Sequence, residues 1–510
     1  MNNYKLKLVI FIILLMILSI VLYYGLFGFS VSYLSESEIK EERKEKDNLI
    51  SFFEINDIET VYDKENDIYY YSIPKEYENK KYTLKINLDS KYKYKIVGYA
   101  TNIITVDYSK DYKIIIYDDE NYYETKIRLT NLPLVNITTD TDITDNETNS
   151  IFKYINPSNL DEVVTYNSKI KVRGATTRWY NKKSYKVKTY DNDYDKEKNV
   201  NISKFYYGNS FILDAVYRDN SKIRNVLATE IWNNISDDFN NVNVYSEFVE
   251  VFINGKYTGL YVFTEPVNRR KLSLGKSTVN DTSVIVKSNS WAIPKANSNF
   301  GNIVIDQYID YELKYPNDEE LFNESWEKVL TKLSKYYNTE DKKYEVIDEV
   351  FNINNYIDLV LFNSFINNED NRLIKNNYFY MKSLGDEVYI QPWDMEFCFG
   401  LRYSGTAESN FEKSLEDYKE IRFEIKNEDS DKINNLLIDR YWSFRKSTLN
   451  EKYLDELIDS YLDDLNKGSA KRDTDLWLDY NIEEEIEQVR TWLHKRLIEY
   501  DKYIRGLENE

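Results

Sequence analysis

Two acidic motifs in the second half of the chain carry the residues whose types and spacing are best suited to chemistry. The first, residues 367–380, places Asp370 after an apolar helical pattern and follows it with the amides Asn376 and Asn377. The second places Asp394 after a Pro-Trp pair among large apolar residues, where an unpaired charge would be costly. In phosphoryl transfer one Asp orients the attacking hydroxyl, while an amide and a second Asp hold Mg²⁺ on the phosphates. The two motifs therefore favour phosphoryl transfer.

The same residues leave two alternatives open. In one, Asp370 and Asn371 only cap or turn the chain, and Asp394 is a buried hydrogen-bond acceptor. In the other, the chain hydrolyses glycosides, a reaction that needs two carboxylates, for which Glu369 and Glu396 are the candidates. The separation of these carboxylates does not follow from the sequence.

Composition excludes several other kinds of chemistry. The chain of 510 residues has one histidine, His494, and one cysteine, Cys398, so a His/Cys zinc cage, a histidine-based triad and an internal disulfide are excluded. Its 14 glycines form neither a dinucleotide-binding fingerprint nor a P-loop. The formal net charge of −20 argues against a basic nucleic-acid surface and favours cationic or metal-bridged partners.

The N-terminal segment predicts a membrane anchor. Residues 8–29 carry no charge and are about long enough to span a bilayer as a helix. Lys5 and Lys7 precede this stretch and glutamates follow it, which predicts an N-terminus inside and an extracytoplasmic remainder. We therefore expect an N-terminal transmembrane helix within residues 1–34 and a single-pass membrane localisation, with a cleavable signal ending near Ser30 as the alternative.

The remainder predicts three further regions. Residues 35–48 form a charged stalk, and residues 49–132 alternate polar and apolar in short runs, as in a small all-β, immunoglobulin-like sandwich that serves as a spacer. Residues 133–510 mix strands and helices and become helical from about 410. The predicted fold class is therefore α/β (α+β), preceded by a small all-β domain and a transmembrane helix.

Local patterns predict the elements that must position the acidic motifs. Asn254-Gly255 suits the positive φ angles of a two-residue turn and predicts a hairpin over residues 247–263. Ser221 is predicted to cap a helix whose apolar residues share one face. Further strands are predicted within 170–188 and at 211–215, 378–381 and 388–390, and helices at 318–338 and 343–366.

Several motifs together resemble a known family. The run Pro392-Trp393-Asp394-Met395-Glu396, with Phe399-Gly400, resembles the Pro-Trp-Asp-x-Asp…Phe-Gly signature of the spore-coat-H (CotH) family of atypical protein kinases. The resemblance covers roughly residues 133–505. Other stretches that agree in order are 132–137, 172–178, 182–188, Asp219 with 223–228, 249–255 with 259–261, 440–441 and the region of Trp477.

The resemblance implies a protein-kinase-like domain with a helical C-terminal part, which uses ATP with Mg²⁺ or Mn²⁺. It implies that Asp370 is the catalytic aspartate and Asp394 the metal-binding aspartate. Asn377 would be the loop amide that helps to hold metal, with Asn376 as the alternate. Glu396, where the family usually has Asp, is kept as a second metal ligand.

Strand and helix geometry extend this assignment to nucleotide-binding residues. Lys183 shares the apolar face of its alternating strand and is predicted to hold phosphate, with Arg173 and Arg178 as bidentate phosphate contacts. Glu230 is predicted on the buried stripe of its helix, where it would pair with Lys183. Glu265 either lines the pocket of the base or ends its strand. The alternative for the basic residues is that they are solvated.

The expected function is transfer of the ATP γ-phosphoryl group to Ser or Thr of a cell-surface or spore-coat protein. ATP is scarce outside a membrane, so a catalytically inactive kinase-like protein that binds or assembles a surface coat is the alternative. The acceptor protein, the oligomeric state and the nucleotide preference do not follow from the sequence.

Overall fold

The computed structural model describes most of the chain. The described residues are 16, 34–50, 52–158, 163–174, 176–202, 206–235, 242–278, 282–291, 300–301, 310–316, 319–339, 344–371, 375–383, 385–409, 411–412 and 430–508. The predicted anchor, residues 1–34, lies outside them apart from Met16 and Leu34. The single-pass localisation is corrected, because none of the described helices has both the length and the apolar character that crossing a membrane requires.

The N-terminal β region is built on a six-stranded sheet of order β4-β5-β11-β10-β8, with β1 also paired to β11. Both β1 and β5 run parallel to β11, whereas the strands of an immunoglobulin-like sandwich are antiparallel. The immunoglobulin-like assignment is therefore not confirmed. The strands of this region are β1 (Lys44–Glu45), β2 (Glu54–Ile55), β3 (Ile58–Glu59), β4 (Val61–Asp63), β5 (Ile68–Ser72), β6 (Lys81–Thr83), β7 (Ile86–Asn87), β8 (Lys93–Ile96), β9 (Ile103–Thr105), β10 (Asp111–Tyr117) and β11 (Asn121–Thr130).

A closed β-barrel follows, with strand order β12-β13-β14-β15-β18-β20-β19. The predicted hairpin is confirmed: β19 and β20 are antiparallel, and Asn254 and Gly255 between them have φ angles of 54° and 74°. The strands of this region are β12 (Leu134–Thr138), β13 (Thr148–Ile155), β14 (Val163–Arg173), β15 (Ser184–Thr189), β16 (Val200–Ile202), β17 (Tyr206–Gly208), β18 (Ser210–Asp214), β19 (Ser246–Ile253) and β20 (Lys256–Thr264).

The barrel and the N-terminal β region share one hydrophobic core. Leu134, Phe252 and Tyr257 of the barrel belong to the core cluster of the β region. The ring of Tyr70 lies 4.8 Å from that of Phe252 and stacks on Tyr257 at 5.3 Å. The N-terminal β region is thus packed onto the barrel, where the sequence predicted a separate spacer.

A second sheet carries the two acidic motifs. Its order is β22-β23-β21-β24-β25, and β24 and β25 form the hairpin that connects the motifs. Its strands are β21 (Val284–Ser288), β22 (Phe300–Gly301), β23 (Tyr311–Tyr315), β24 (Asn377–Met381) and β25 (Tyr389–Pro392).

One short helix packs on the N-terminal β region through Ile39, and the other described helices belong to the part of the chain from Arg224 onward. Their bounds are α1 (Glu36–Glu42), α2 (Arg224–Ile235), α3 (Glu319–Asn338), α4 (Tyr344–Val350), α5 (Ile353–Ile366), α6 (Ser430–Lys446), α7 (Glu451–Leu465), α8 (Ser469–Leu476) and α9 (Ile482–Leu507). The predicted helix over 343–366 is two helices, because Phe351 forms a β-bridge with Val388 and Asn352 caps α5 through the main-chain N–H of Asn355. The β25 edge is fixed to α5 by Asn355, whose amide bonds both polar main-chain groups of Ile390.

Candidate functional site

The β24–β25 hairpin brings the ends of the two acidic motifs together. Asn377 is paired with Pro392, and the Trp393 N–H donates to the Asn376 carbonyl at 2.9 Å. Asp394 follows directly, with a left-handed φ of 61°. Its side chain is exposed, contrary to our expectation of a buried acid, because the strand ends and the chain turns outward before it.

Asp370 is held by two side chains of its own loop. Lys375 Nζ donates to Asp370 Oδ2 at 2.7 Å, and Asn376 Nδ2 donates to the same oxygen at 3.0 Å. Asn376 also donates to the main-chain carbonyl of Asp370 at 3.2 Å. The carboxylate therefore has a fixed orientation, and Lys375 is a site residue that sequence reasoning missed.

The two predicted loop amides have different surroundings. Asn376 contacts Asp370, as described. Asn377 is fully buried, and its Nδ2 donates to the Lys375 carbonyl at 3.1 Å. Its Oδ1 has no hydrogen-bond partner among the described residues, so a buried oxygen at the base of the hairpin is free to accept a bond.

Three carboxylates act on one another at the mouth of this region. Burial, followed by the charges of Asp214 and Asp394, holds the pKa of Glu396 well above its ordinary value. Glu396 Oε1 is buried and has no hydrogen-bond partner in the described part of the chain. Burial and the charge of Asp394 also raise the pKa of Asp214, against the opposing effect of Arg173. Asp214, at the end of β18, was not predicted.

A narrow cleft lies between the barrel and the second sheet. Its lining includes Arg173 and Asp214 from the barrel, Asn225 from α2 and Asp394 from the second motif. Asp370 is not among the lining residues. The enclosed space is about 20 Å³, which is enough for about one water molecule or ion.

Several cations interact electrostatically with one another near Arg173 of this cleft. Burial, followed by repulsion from Lys314 and Arg173, lowers the pKa of Lys287 to about 8, while Asp394 acts in the opposite direction. Burial and the charges of Lys314, Lys188, Lys171 and Arg173 also lower the pKa of Lys186 to about 8. Neither ammonium group forms a hydrogen bond or ion pair with any of the described residues. An anion would relieve this repulsion, and sequence reasoning identified only Arg173 of this cluster.

The structure does not bring Lys183 and Glu230 together. Lys183 precedes β15, and its Nζ donates to the carbonyls of Arg178 at 2.8 Å and Tyr180 at 2.5 Å. Glu230 Oε1 accepts from Asn234 at 2.9 Å. Burial, followed by the charge of Glu230, raises the pKa values of Tyr453 and Tyr461 on α7. The expected pair is therefore wrong, because Glu230 faces α7.

The other predicted residues also have local partners. Arg178 donates to Asp145 at 3.2 Å on the exposed surface. Glu265 accepts from the Tyr245 N–H at 2.9 Å and pairs with Lys271, so it ends the strand next to Thr264, which lines the cleft.

The glycosidase alternative gains no support from the contacts of its two carboxylates. Glu369 pairs with Arg402 at 3.3 Å. Glu396 is coupled to Asp214 and Asp394, and Glu369 is not among the charges that act on it.

The oxygen atoms of this region suit a hard cation whose remaining ligands come from a substrate. Across the described residues, no group of three or more His, Cys, Asp or Glu side chains could hold a metal by itself. Mg²⁺ commonly uses one or two carboxylates together with substrate phosphates and water, and prefers oxygen ligands. Exposed Asp394 and the unpartnered oxygens of Glu396 and Asn377 fit that requirement.

The fold and the site define a mixed α/β protein with a kinase-like domain, in which a barrel and a helix-covered sheet border an acidic and basic cleft. The family model described as CotH kinase protein matches residues 170–499, well over half of the chain. The chain therefore belongs to the CotH kinase family, as the motifs indicated. A search among curated proteins finds no match.

Proposed function

We propose that this chain is an ATP-dependent protein kinase that transfers the γ-phosphoryl group to Ser or Thr of a protein acceptor. A surface or coat protein is the acceptor class that the family suggests. The observation that carries the proposal is the proximity of two charge clusters. Asp214, Asp394 and Glu396 act on one another, and Lys186 and Lys287, on which the neighbouring cations outweigh the acids, lie near Arg173. A metal–polyphosphate complex matches both signs of charge.

In this proposal Asp394 is the principal metal ligand, with Glu396 and Asn377 Oδ1 as further oxygens. A Mg²⁺ or Mn²⁺ ion held by these residues would supply neutralisation of the phosphate charge. Arg173, Lys186 and Lys287 hold the phosphates. Lys183, Arg178, Glu230 and Glu265 have no part in it, because their polar atoms are engaged elsewhere.

Asp370 orients the acceptor hydroxyl and accepts its proton. Lys375 and Asn376 fix the direction of the carboxylate, so that it meets the hydroxyl without first reorganising. Because Asp370 does not line the enclosed cleft, the acceptor approaches it from the open side.

A second candidate is a kinase-like protein that binds or assembles other proteins without catalysis. The small enclosed space and the absence of Asp370 from the cleft lining favour this candidate. It predicts that surface or coat proteins are bound in the absence of phosphoryl transfer.

The test is transfer of label from γ-labelled ATP by the full chain with Mn²⁺, to casein or to the chain itself. We expect labelling by the unaltered chain and a loss of at least about 100-fold in Asp370→Asn and Asp394→Asn. The matched control is Asp386→Asn, an exposed acid at the opposite turn of the same hairpin, which should keep full activity.

No labelling by the unaltered chain, with coat-protein binding intact, would contradict catalysis and support the binding protein. Sugar release without nucleotide or metal would instead indicate the glycosidase.

A further inference from the structure

Asn371 has no role in the chemistry proposed above, yet its side chain joins both acidic motifs. It is fully buried, one residue after Asp370. Its Nδ2 donates to the Asn376 carbonyl at 3.0 Å and to the Trp393 carbonyl at 3.1 Å. One amide thus bonds the loop that carries Asp370 and the strand end that carries Asp394.

The two carbonyls belong to the peptide groups on which the site depends. The Trp393 carbonyl is part of the peptide that leads into Asp394, and the Asn376 carbonyl is part of the peptide that leads into Asn377. Asn376 and Asp394 have φ angles of 58° and 61°, in the left-handed region that is uncommon for non-glycine residues, although Asn and Asp adopt it more readily than most. The two bonds from Asn371 constrain the peptide groups next to both residues.

A third contact anchors Asn371 to the helical part. Asn363 on α5 donates its Nδ2 to Asn371 Oδ1 at 3.5 Å, a long and therefore weak bond. The position of Asn371 is otherwise set by its two shorter bonds. Loss of its amide group would remove this donor from the Trp393 carbonyl and would leave the Asn376 carbonyl with the bond from the Trp393 N–H alone.

We propose that Asn371 is a positioning residue that sets the distance between the hydroxyl-orienting Asp370 and the metal-holding Asp394. The inference rests on the proposed function for its kinetic consequence, but its geometry is independent of activity. Buried carbonyl groups that lose a donor are destabilised, and they shift to find another. A displacement of about 1 Å between reacting groups can reduce a rate by about 100-fold.

Two variants test the inference in the full chain. Asn371→Asp keeps the shape but replaces the Nδ2 group, which donates both bonds, with a carboxylate oxygen that repels the two carbonyls, and Asn371→Ser keeps a single donor. We expect kcat to fall about 10- to 100-fold in Asn371→Asp and less in Asn371→Ser, with the KM for ATP changed less than about threefold. The KM for ATP should change little because Arg173, Lys186 and Lys287 bind the phosphates, and Asn371 does not.

The matched control is Asn355→Ala. Asn355 is an equally buried amide on α5 that makes two main-chain bonds to β25, away from the acids. It should lower the thermal stability to a similar extent and leave kcat unchanged once folded. Equal kcat values in folded Asn371→Asp and in Asn355→Ala would overturn the inference.

A crystal structure of whichever Asn371 variant folds separates this inference from the proposed function. Displaced carbonyls at 376 and 393 support the inference, and unmoved carbonyls overturn it, whether or not the unaltered chain transfers phosphate. Lack of transfer by the unaltered chain would instead count against the proposed function alone.

Discussion

At the scale of single residues, Lys186 and Lys287 carry the electrostatic argument. Both are partly buried, and the surrounding cations that act on them outweigh the acids. Burying a charge without a partner is unfavourable, so each lysine destabilises the protein that has no anion bound. Residues that reduce stability in this way are commonly retained for binding.

Lys287→Met should stabilise the unliganded protein at pH 7 by about 1–3 kcal/mol. The folded-state pKa of Lys287, about 8, is below its value in the unfolded chain. The unfolded state therefore binds more protons between about pH 8 and 10.5, and the free energy of unfolding of the unaltered chain rises across that window. Urea unfolding should show this rise reduced in Lys287→Met, and an unchanged slope would contradict the assignment.

The same substitution should weaken binding of ATP with Mn²⁺ by about tenfold or more, because a charge-assisted contact is lost. Lys183→Met is the matched control, since the Lys183 ammonium is bonded to carbonyls of its own loop. Calorimetric titration measures both. If ATP with Mn²⁺ binds more weakly to Lys183→Met and equally well to Lys287→Met, Lys183 is the phosphate-binding lysine, as the sequence predicted.

The sequence singles out Asp370 and Asp394 more readily than the lysines that the structure brings near Arg173. Asp370 and Asp394 stand out because each belongs to a compact local motif. Lys287 does not stand out in the sequence. Its position is fixed by the register of β21 against β24, two strands far apart in the chain, where it pairs with Tyr378. Lys183 is selected because side chains alternate between the two faces of a strand. Strand β15 begins only at Ser184, so this alternation does not apply to Lys183.

At the scale of elements, helix α8 fastens the C-terminal part to the barrel. Asp473 on α8 accepts from Lys182 Nζ at 2.6 Å and lies 3.6 Å from Lys222 Nζ, and all three side chains are buried. Arg472 on the same helix pairs with buried Glu250 of β19. Two residues of a short helix thus form three ionic contacts with distant parts of the chain.

Asp473→Asn should lower the free energy of unfolding by about 3–5 kcal/mol, because two buried lysines lose their shared counter-charge. Asp475→Asn, on the same helix, removes an exposed pair with Lys471 and should cost no more than about 0.5 kcal/mol. Chemical denaturation measures both. Similar losses in the two variants would contradict the role assigned to α8.

Local signals predicted those elements whose limits are set locally. Asn254-Gly255 gave the hairpin because its turn needs positive φ angles, and the structure has them. The break between α4 and α5 was missed because the bridge from Phe351 reaches a strand far along the chain. Apolar periodicity continues across the break and gives no sign of it.

At the scale of the whole molecule, the N-terminal β region and the barrel are one packing unit. The β region also contacts the helical part, since Lys75 pairs with Asp464 on α7 at 2.6 Å and Asn131 donates to the Asp464 carbonyl at 3.0 Å. The sequence suggested a spacer because its strands are short and its boundary is marked by Pro133. The packing of side chains across the boundary at Pro133 could not be predicted from the sequence.

Calorimetry of the full chain should therefore show one cooperative transition for the β region and the barrel. Residues 133–510 alone should be less stable and aggregate, because Phe252 and Tyr257 lose the aromatic partner that covers them. Two separate transitions, or a well-folded fragment of unchanged stability, would contradict the shared core.

The most direct test of the central claim is a crystal structure of the full chain with Mn²⁺ and a non-hydrolysable ATP analogue. The anomalous signal of Mn²⁺ locates the metal without prior assumptions. We predict the ion at about 2.0–2.2 Å from an Asp394 oxygen, with the phosphates directed towards Lys186, Lys287 and Arg173. Manganese bound away from Asp394, or a nucleotide outside the cleft, would contradict the account.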